Sequence, residues 1–427
     1  MSTIANKIEA VGAAIVKRPP FCSGVVGLEA PSSKLFYERQ DNSSGLLSLA
    51  SANTAQLQDL TNACLPATFG LDSKDVYDES YRKARKMDVE FFATKFDPSD
   101  LGIVDLIRKG LLEGPNQTKK IGIELYKLNV YDEGSFFKAH KDTPRSEDMF
   151  ASLVVSFPTP HQGGQLLLRH DGEQWTFDSA DILSKPETPS AAWIAFYSDV
   201  EHEVTPVTSG HRLTLTYNLY YQEEKTPNID TISVPDNSSL VTESVPDISL
   251  LQAAVASLLQ DKRILPDGGY FGFGLRFMYP AFGTKGRSGL QKVLAQLKGS
   301  DALLKQVCDT LSLATTLEVV IDNEDEDTEV LVPEALDLTE WQVDSSWDYI
   351  LKRYGAREVY PWDTDDAPED ADMIMWVTPP TAFPTYDTPY VAYGNEASVA
   401  HLYGDICLVA KVGPVDQRET VGVSTST

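Results

Sequence analysis

Two histidines and one aspartate carry ligand chemistry at an informative spacing. His140 and Asp142 sit two residues apart after the strand-like run Ile121 to Tyr131, and His202 follows well downstream, behind the apolar run Ala191 to Tyr197. In an extended segment residues i and i+2 point the same way, so His140 and Asp142 can reach one ion without bending the backbone. Two imidazoles and a carboxylate on one face of a metal suit iron(II) and leave coordination positions open. An isolated His-X-Asp is more often a hydrogen-bonded surface pair. Here, of the six histidines, only His140 has a carboxylate two residues on.

These side chains need strands to present them. The apolar run Ala191 to Tyr197 reads as a buried strand leading to His202, and the turn-rich stretch Thr205 to Gly210 then reverses the chain. The following strand is expected to return antiparallel and close by. Along it Arg212, Thr214, Thr216 and Asn218 share one face, while Leu213, Leu215, Tyr217 and Leu219 share the other. In a small barrel with a ligand inside, the polar face points inward and the apolar face packs on flanking helices. A planar guanidinium at Arg212 can grip a carboxylate through two parallel bonds, and Thr214 adds a hydroxyl. Strands lie about 4.8 Å apart, so an anchor one strand from the metal suits a short dicarboxylate.

Around these residues the text reads Tyr131-X-X-Gly134 with His140-X-Asp142, then Gly163-Gly164-Gln165-Leu166, then His202-Glu203-Val204 leading through Pro206-Val207 and Gly210 to Arg212. On these motifs the segment from about residue 120 to 222 resembles the Fe(II) and 2-oxoglutarate dependent dioxygenases, most closely the prolyl 4-hydroxylase-like superfamily. The resemblance implies an α+β chain built on a double-stranded beta-helix, or jelly-roll, barrel with flanking helices. It implies Fe(II) held by His140, Asp142 and His202, 2-oxoglutarate chelating the metal with its far carboxylate on Arg212, and Tyr131 lining the co-substrate pocket. Dioxygen is the oxidant, with ascorbate an optional accessory. The implied reaction couples decarboxylation of 2-oxoglutarate to hydroxylation of an unactivated C–H bond. Asp142 favours hydroxylation over halogenation, because related halogenases leave that position to chloride. The chain departs from collagen-type enzymes in having arginine rather than lysine at 212. It departs from both collagen-type and oxygen-sensing enzymes in lacking tyrosine in Val154 to Thr159.

The substrate class stays open between a peptide or protein side chain, which the resemblance favours, and a small molecule. A third alternative is a binding module that has lost turnover. A net charge of -27 argues against nucleic acid as a partner and would draw in a basic peptide or a cationic small molecule. Acidic surface also serves solubility alone. Four dispersed cysteines without a CxxC pair read as free thiols, and no apolar run approaches a membrane span. The first ten residues carry an acid and no long apolar stretch. An intracellular protein, cytoplasmic or nuclear, without membrane association is expected; the oligomeric state is not readable.

Four segments are expected. Residues 1–119 flank the barrel, with strands at Phe21 to Leu28 and Lys34 to Glu38, helices at Ala55 to Cys64 and Ile103 to Leu112, and Asp100 as start signal for the second helix. Met87 to Phe96 reads as a strand near the substrate mouth. Residues 120–222 form the barrel core, and 223–245, rich in Thr, Ser, Pro and Asn, form a linker. Residues 246–427 form a C-terminal α/β region of unknown role, with a strand from Tyr270 to Tyr279, helices at Leu290 to Leu297 and Asp301 to Leu311, and room for a metal-free companion barrel. The acidic runs Asp322 to Glu329 and Asp363 to Asp372 read as solvated loops, and the tail after Gly413 as disordered.

Overall fold

Apolar strands pair into two antiparallel sheets that face each other across the candidate ligands. The computed structural model describes residues 3–29, 33–71, 74–222, 248–282, 289–323, 328–336, 347–381, 393–394 and 402–418. The stretch read as a linker lies outside the described residues, as do residues 324–327 of the first acidic run and 419–427 of the tail. In the seven-stranded sheet the order is Phe21–Gly27, Ser190–Tyr197, Met149–Ser156, Arg212–Gln222, Lys120–Tyr131, Arg85–Asp88 and Leu65–Pro66. The five-stranded sheet runs Glu173–Phe177, Leu166–His170, Glu201–Val204, Phe136–His140 and Arg82–Lys83. Mixed sheets with helices make this an α+β chain.

One expectation fails in an instructive way. The strands of His202 and Arg212 are not neighbours, because the reversal between them carries the chain from one sheet to the other. Glu201–Val204 pairs with Leu166–His170 and Phe136–His140, whereas Arg212–Gln222 sits between Met149–Ser156 and Lys120–Tyr131. Between them Val207–Gly210 makes its own two-stranded ribbon with His161–Gly163. Burial supplies the reason. Arg212–Gln222 is buried at nearly every position on both faces, so it needs a central place. Its apolar side is covered from the leading region, where the Tyr217 hydroxyl donates to the Phe96 carbonyl at 3.4 Å.

Nor does the leading region merely flank these two sheets. Phe21–Gly27, Arg85–Asp88 and Leu65–Pro66 extend the larger sheet at its edges, and Arg82–Lys83 extends the smaller one. Open strand edges carry unpaired N–H and C=O groups, and these short strands satisfy them. Helices Thr54–Ala63 and Ile103–Leu111 stand where the sequence places them. The second starts after Gly102, at φ 73° and without a side-chain cap, so Asp100 is not its start signal. Met87 to Phe96 is not one strand: a 3-10 turn at Val89–Phe91 separates Arg85–Asp88 from Phe92–Thr94.

The C-terminal region closes a barrel from Gly269–Gly274, Asp372–Thr378, Arg357–Pro361, Thr328–Val332, Thr315–Asn323 and Cys407–Val412. Tyr270 to Tyr279 is therefore interrupted, its end joining the separate strand Tyr279–Phe282. Helix Ile4–Ala14 packs on Ser249–Leu259, with Lys7 Nζ on the Ser257 carbonyl at 2.8 Å, so the extreme N-terminus belongs with this region. Among the described residues no helix is long and apolar enough to cross a membrane.

A buried polar cluster joins the two halves. Lys298 Nζ reaches Asp199 Oδ1 at 2.6 Å and the Met278 carbonyl at 2.7 Å, and the Met278 N–H donates to Asp199 Oδ2 at 2.9 Å. Burial works against the Asp199 carboxylate, but Lys298 and His170 outweigh it and hold the group well below the usual carboxylate range. Removing one partner of a buried pair leaves the other charge uncompensated, at a cost of about 3–5 kcal/mol. Lys298→Met should therefore lower the unfolding free energy by about that amount in urea denaturation, and an unchanged midpoint would show that the pair contributes nothing.

Candidate metal centre and co-substrate pocket

His140 closes the strand Phe136–His140 and lies directly opposite His202 on Glu201–Val204. The register between these strands slips between Phe137 and His140, a bulge that lays the Phe137 ring on the His140 ring at 3.6 Å between centroids. Bulges re-aim side chains in this way. Both imidazoles are pinned by one device. His140 Nδ1 bonds the Lys138 carbonyl at 2.8 Å and His202 Nδ1 bonds the Val200 carbonyl at 3.0 Å. A carbonyl only accepts, so each Nδ1 carries a proton, and Nε2 is the nitrogen that each ring turns toward a metal. Burial, and then the neighbouring His202, push the His140 ring well below the usual histidine range, which keeps it neutral for ligation.

Asp142 completes the group. Its Oδ1 lies 3.7 Å from His202 Nε2, its Oδ2 accepts from the Ser152 hydroxyl, and its N–H donates to the Ser198 carbonyl at 3.2 Å. Donor atoms of His140, Asp142 and His202 all fall within 4.8 Å of one another, and all three residues are buried. Two imidazoles held by backbone carbonyls and an oriented carboxylate fit a divalent transition metal. Ser152 was not singled out from sequence, because a serine inside an apolar strand carries no signal of its own. Its place on the strand after the His-X-Asp is what brings it to the carboxylate.

Arg212 faces this group from the other sheet. It lines the same cavity of about 60 Å³, together with Tyr131, Thr214, Phe137, Leu166 and Phe196. Its side chain is 1% exposed, and among the described residues its Nε and Nη2 have no hydrogen-bond partner. Burial pulls the guanidinium down, and Tyr131 and Asp178 offset this in part. Tyr131 is its register partner, with the ring centroid 5.5 Å from Cζ. A buried cation with two orphaned donors is the complement of a carboxylate. The residues present therefore fit a small diacid beside a metal.

The glycine pair before Gln165 makes room for that arginine. Gly163 and Gly164 have φ of 72° and 67°. A Cβ on Gly163 would sit 2.3 Å from the Pro206 carbonyl oxygen, and one on Gly164 would sit 2.9 Å from Arg212 Cδ. Gln165 then fastens the turn through Asp178 at 2.7 Å. All six residues expected at the site converge on one cavity.

Residues 126–220 match the family model described as the 2OG-Fe(II) oxygenase superfamily. The chain carries a 2OG-Fe(II) oxygenase domain. It is an oxygenase that uses Fe(II), 2-oxoglutarate and dioxygen, and His140, Asp142 and His202 make up its His-Asp-His iron site. Solved structures similar to it include a prolyl-4-hydroxylase from Pseudomonas putida, at 20% identity over 51% of this chain and 100% of that one, with a TM-score of 0.29. A second is a prolyl hydroxylase from Trichoplax adhaerens in complex with a hypoxia inducible factor oxygen degradation domain peptide fragment, at 16% identity, 51% and 91% coverage, TM-score 0.32. A third is a 2OG-Fe(II) oxygenase family oxidoreductase from Burkholderia pseudomallei, at 16% identity, 51% and 91% coverage, TM-score 0.25. No curated protein matches the chain.

Groups that orient metal ligands typically matter about 10- to 100-fold in metal affinity. Ser152→Ala should weaken Mn(II) binding by about that factor in a calorimetric titration without unfolding the chain, and unchanged affinity would remove Ser152 from the site. Gly164→Ala should displace Arg212 and raise the 2-oxoglutarate half-saturation. An unchanged value would mean that the guanidinium has another way out.

Proposed function

We propose that this protein is a hydroxylase that inserts oxygen into an unactivated C–H bond of a peptide or protein side chain. The observation that carries the reading is the Arg212 guanidinium, with Nε and Nη2 unpartnered among the described residues, across one cavity from the His140, Asp142 and His202 donors. In this reading the two facing sheets form a double-stranded beta-helix, residues 120–222 are its core, and the C-terminal barrel is a separate region reached through the stretch read as a linker. When bound, iron and 2-oxoglutarate supply the oxidising chemistry, with succinate and carbon dioxide as co-products.

The chain's own residues supply ligation, orientation and dryness. His140 and His202 offer Nε2 because their Nδ1 protons are committed to backbone carbonyls. Asp142 offers the oxygen that Ser152 does not take. Arg212 holds the distal carboxylate of the co-substrate, with Thr214 and Tyr131 beside it. Phe137, Phe196, Leu166 and Val204 line the cavity and exclude bulk water, which strengthens each charge contact inside.

The polypeptide side of this reading rests on the sequence resemblance to the prolyl 4-hydroxylase-like superfamily. Four free cysteines support the intracellular setting.

His140→Ala and Asp142→Ala should each abolish succinate formation from 2-oxoglutarate with added Fe(II). Full turnover in either would contradict the ligand assignment. Arg212→Ala should chiefly raise the 2-oxoglutarate requirement, and an unchanged half-saturation would assign the anchor to another base. Mass spectrometry of peptide pools should reveal a gain of one oxygen atom on a side chain. Oxygen gain confined to free metabolites would replace the polypeptide reading.

A further inference from the structure

A second cavity, of about 750 Å³, opens at the end of the larger sheet where Tyr131 and Arg212 stand in register. Its lining includes Asp132 and Glu133, just past Tyr131, and His211, just before Arg212. It shares no lining residue with the metal cavity, and the oxygenase reading gives it no role. Its volume falls within the roughly 300–1,000 Å³ of ligand-binding clefts.

The chemistry of this wall is one-sided. Among the described residues the lining holds two carboxylates, Asp132 and Glu133, and neither lysine nor arginine. Asp132 Oδ1 accepts from the Ser135 hydroxyl at 2.5 Å, and Glu133 is exposed. Lys185, beside the lining residue Ser184, is committed to Asp181 at 2.7 Å. Two histidines complete the wall. Their Nε2 atoms, on His161 and His211, are buried without a partner among the described residues, and His211 is 8% exposed. Burial pushes the His161 ring below the usual histidine range while its Nδ1 bonds the Thr159 carbonyl at 2.7 Å, so this ring lines the cavity as a neutral acceptor. Buried polar atoms without partners are uncommon, and two at one cavity favour a polar ligand there.

The rest of the wall narrows the choice of ligand. Leu57, Pro158, Pro160 and Leu183 are apolar, and Gln162 offers an exposed side-chain amide. A fully charged polyamine donates to carboxylates but accepts nothing from an amide. A basic polypeptide does both: its ammonium or guanidinium heads donate, its aliphatic stems lie on apolar surface, and its main-chain carbonyls accept.

We propose that this groove is a docking site for a basic polypeptide segment, with lysine or arginine side chains on Asp132 and Glu133 and the main chain on Gln162. The site does not depend on the hydroxylase reading. The net charge of -27 draws such a segment toward the molecule at long range, and the groove supplies the short-range contacts that hold it.

Fluorescence polarisation on the full chain tests the site, with a labelled, blocked peptide of alternating lysine and proline as the probe. Its counterpart with glutamine in place of lysine should bind at least roughly tenfold more weakly. Asp132→Asn combined with Glu133→Gln should weaken the lysine peptide by roughly tenfold, and Glu133→Gln alone, at an exposed position, by roughly threefold, which keeps the test open if the pair fails to fold. Glu369→Gln combined with Asp370→Asn removes as many charges from exposed positions of the C-terminal region and should leave the affinity unchanged, which separates the groove from the field of the whole chain. Equal weakening by the two pairs, equal binding of the two peptides, or no binding of the lysine peptide at about 1 mM would overturn the site. Complete displacement of the peptide by an equal concentration of spermine would also overturn it, by making the groove a polyamine site.

Discussion

A buried guanidinium with two donors unmet among the described residues is the constraint on which the rest of the site depends. Arg212 is sealed between the sheets with two donors unmet among the described residues, and burial alone disfavours its charge. Such a group persists only where the surrounding fold over-determines it, and here a central strand, a tyrosine partner and a pair of glycines do so. The cost of holding an unsatisfied cation is recovered when an anion arrives, so the fold is organised around a ligand it does not itself contain.

The same logic explains the metal side. Each histidine spends Nδ1 on a carbonyl two residues earlier, which fixes its tautomer before any ion binds. Asp142 spends one oxygen on Ser152 and its N–H on Ser198. These small local bonds remove the freedom that a ligand set would otherwise lose on binding. Beyond them, the Asp199 and Lys298 pair ties the segment before His202 to the C-terminal region.

Much of the site was legible because its residue types are rare and its spacing matches strand periodicity. His140-X-Asp142, His202 and Arg212 are the kinds of side chain that strands do not bury without a reason, and the alternation from Arg212 to Leu219 identified the inward face. What was not legible arises from pairing between distant segments. Nothing in Thr205 to Gly210 announces that the chain changes sheets, since a turn reads alike whether its strands pair or part. Ser152 and Arg82 reach the cavity only through register with partners far away in sequence. The bulge beside His140, the edge strands contributed by residues 21–27 and 82–88, and the break after Asp88 have the same origin.

The most direct test is whether metal and co-substrate bind as one unit. If 2-oxoglutarate bridges the ion and Arg212, their affinities must be reciprocally coupled. Titration of Mn(II) into the full chain should show one ion per chain, bound roughly tenfold more tightly when 2-oxoglutarate is saturating, with the gain lost in Arg212→Ala. An Mn(II) affinity indifferent to 2-oxoglutarate in the wild type would contradict the account.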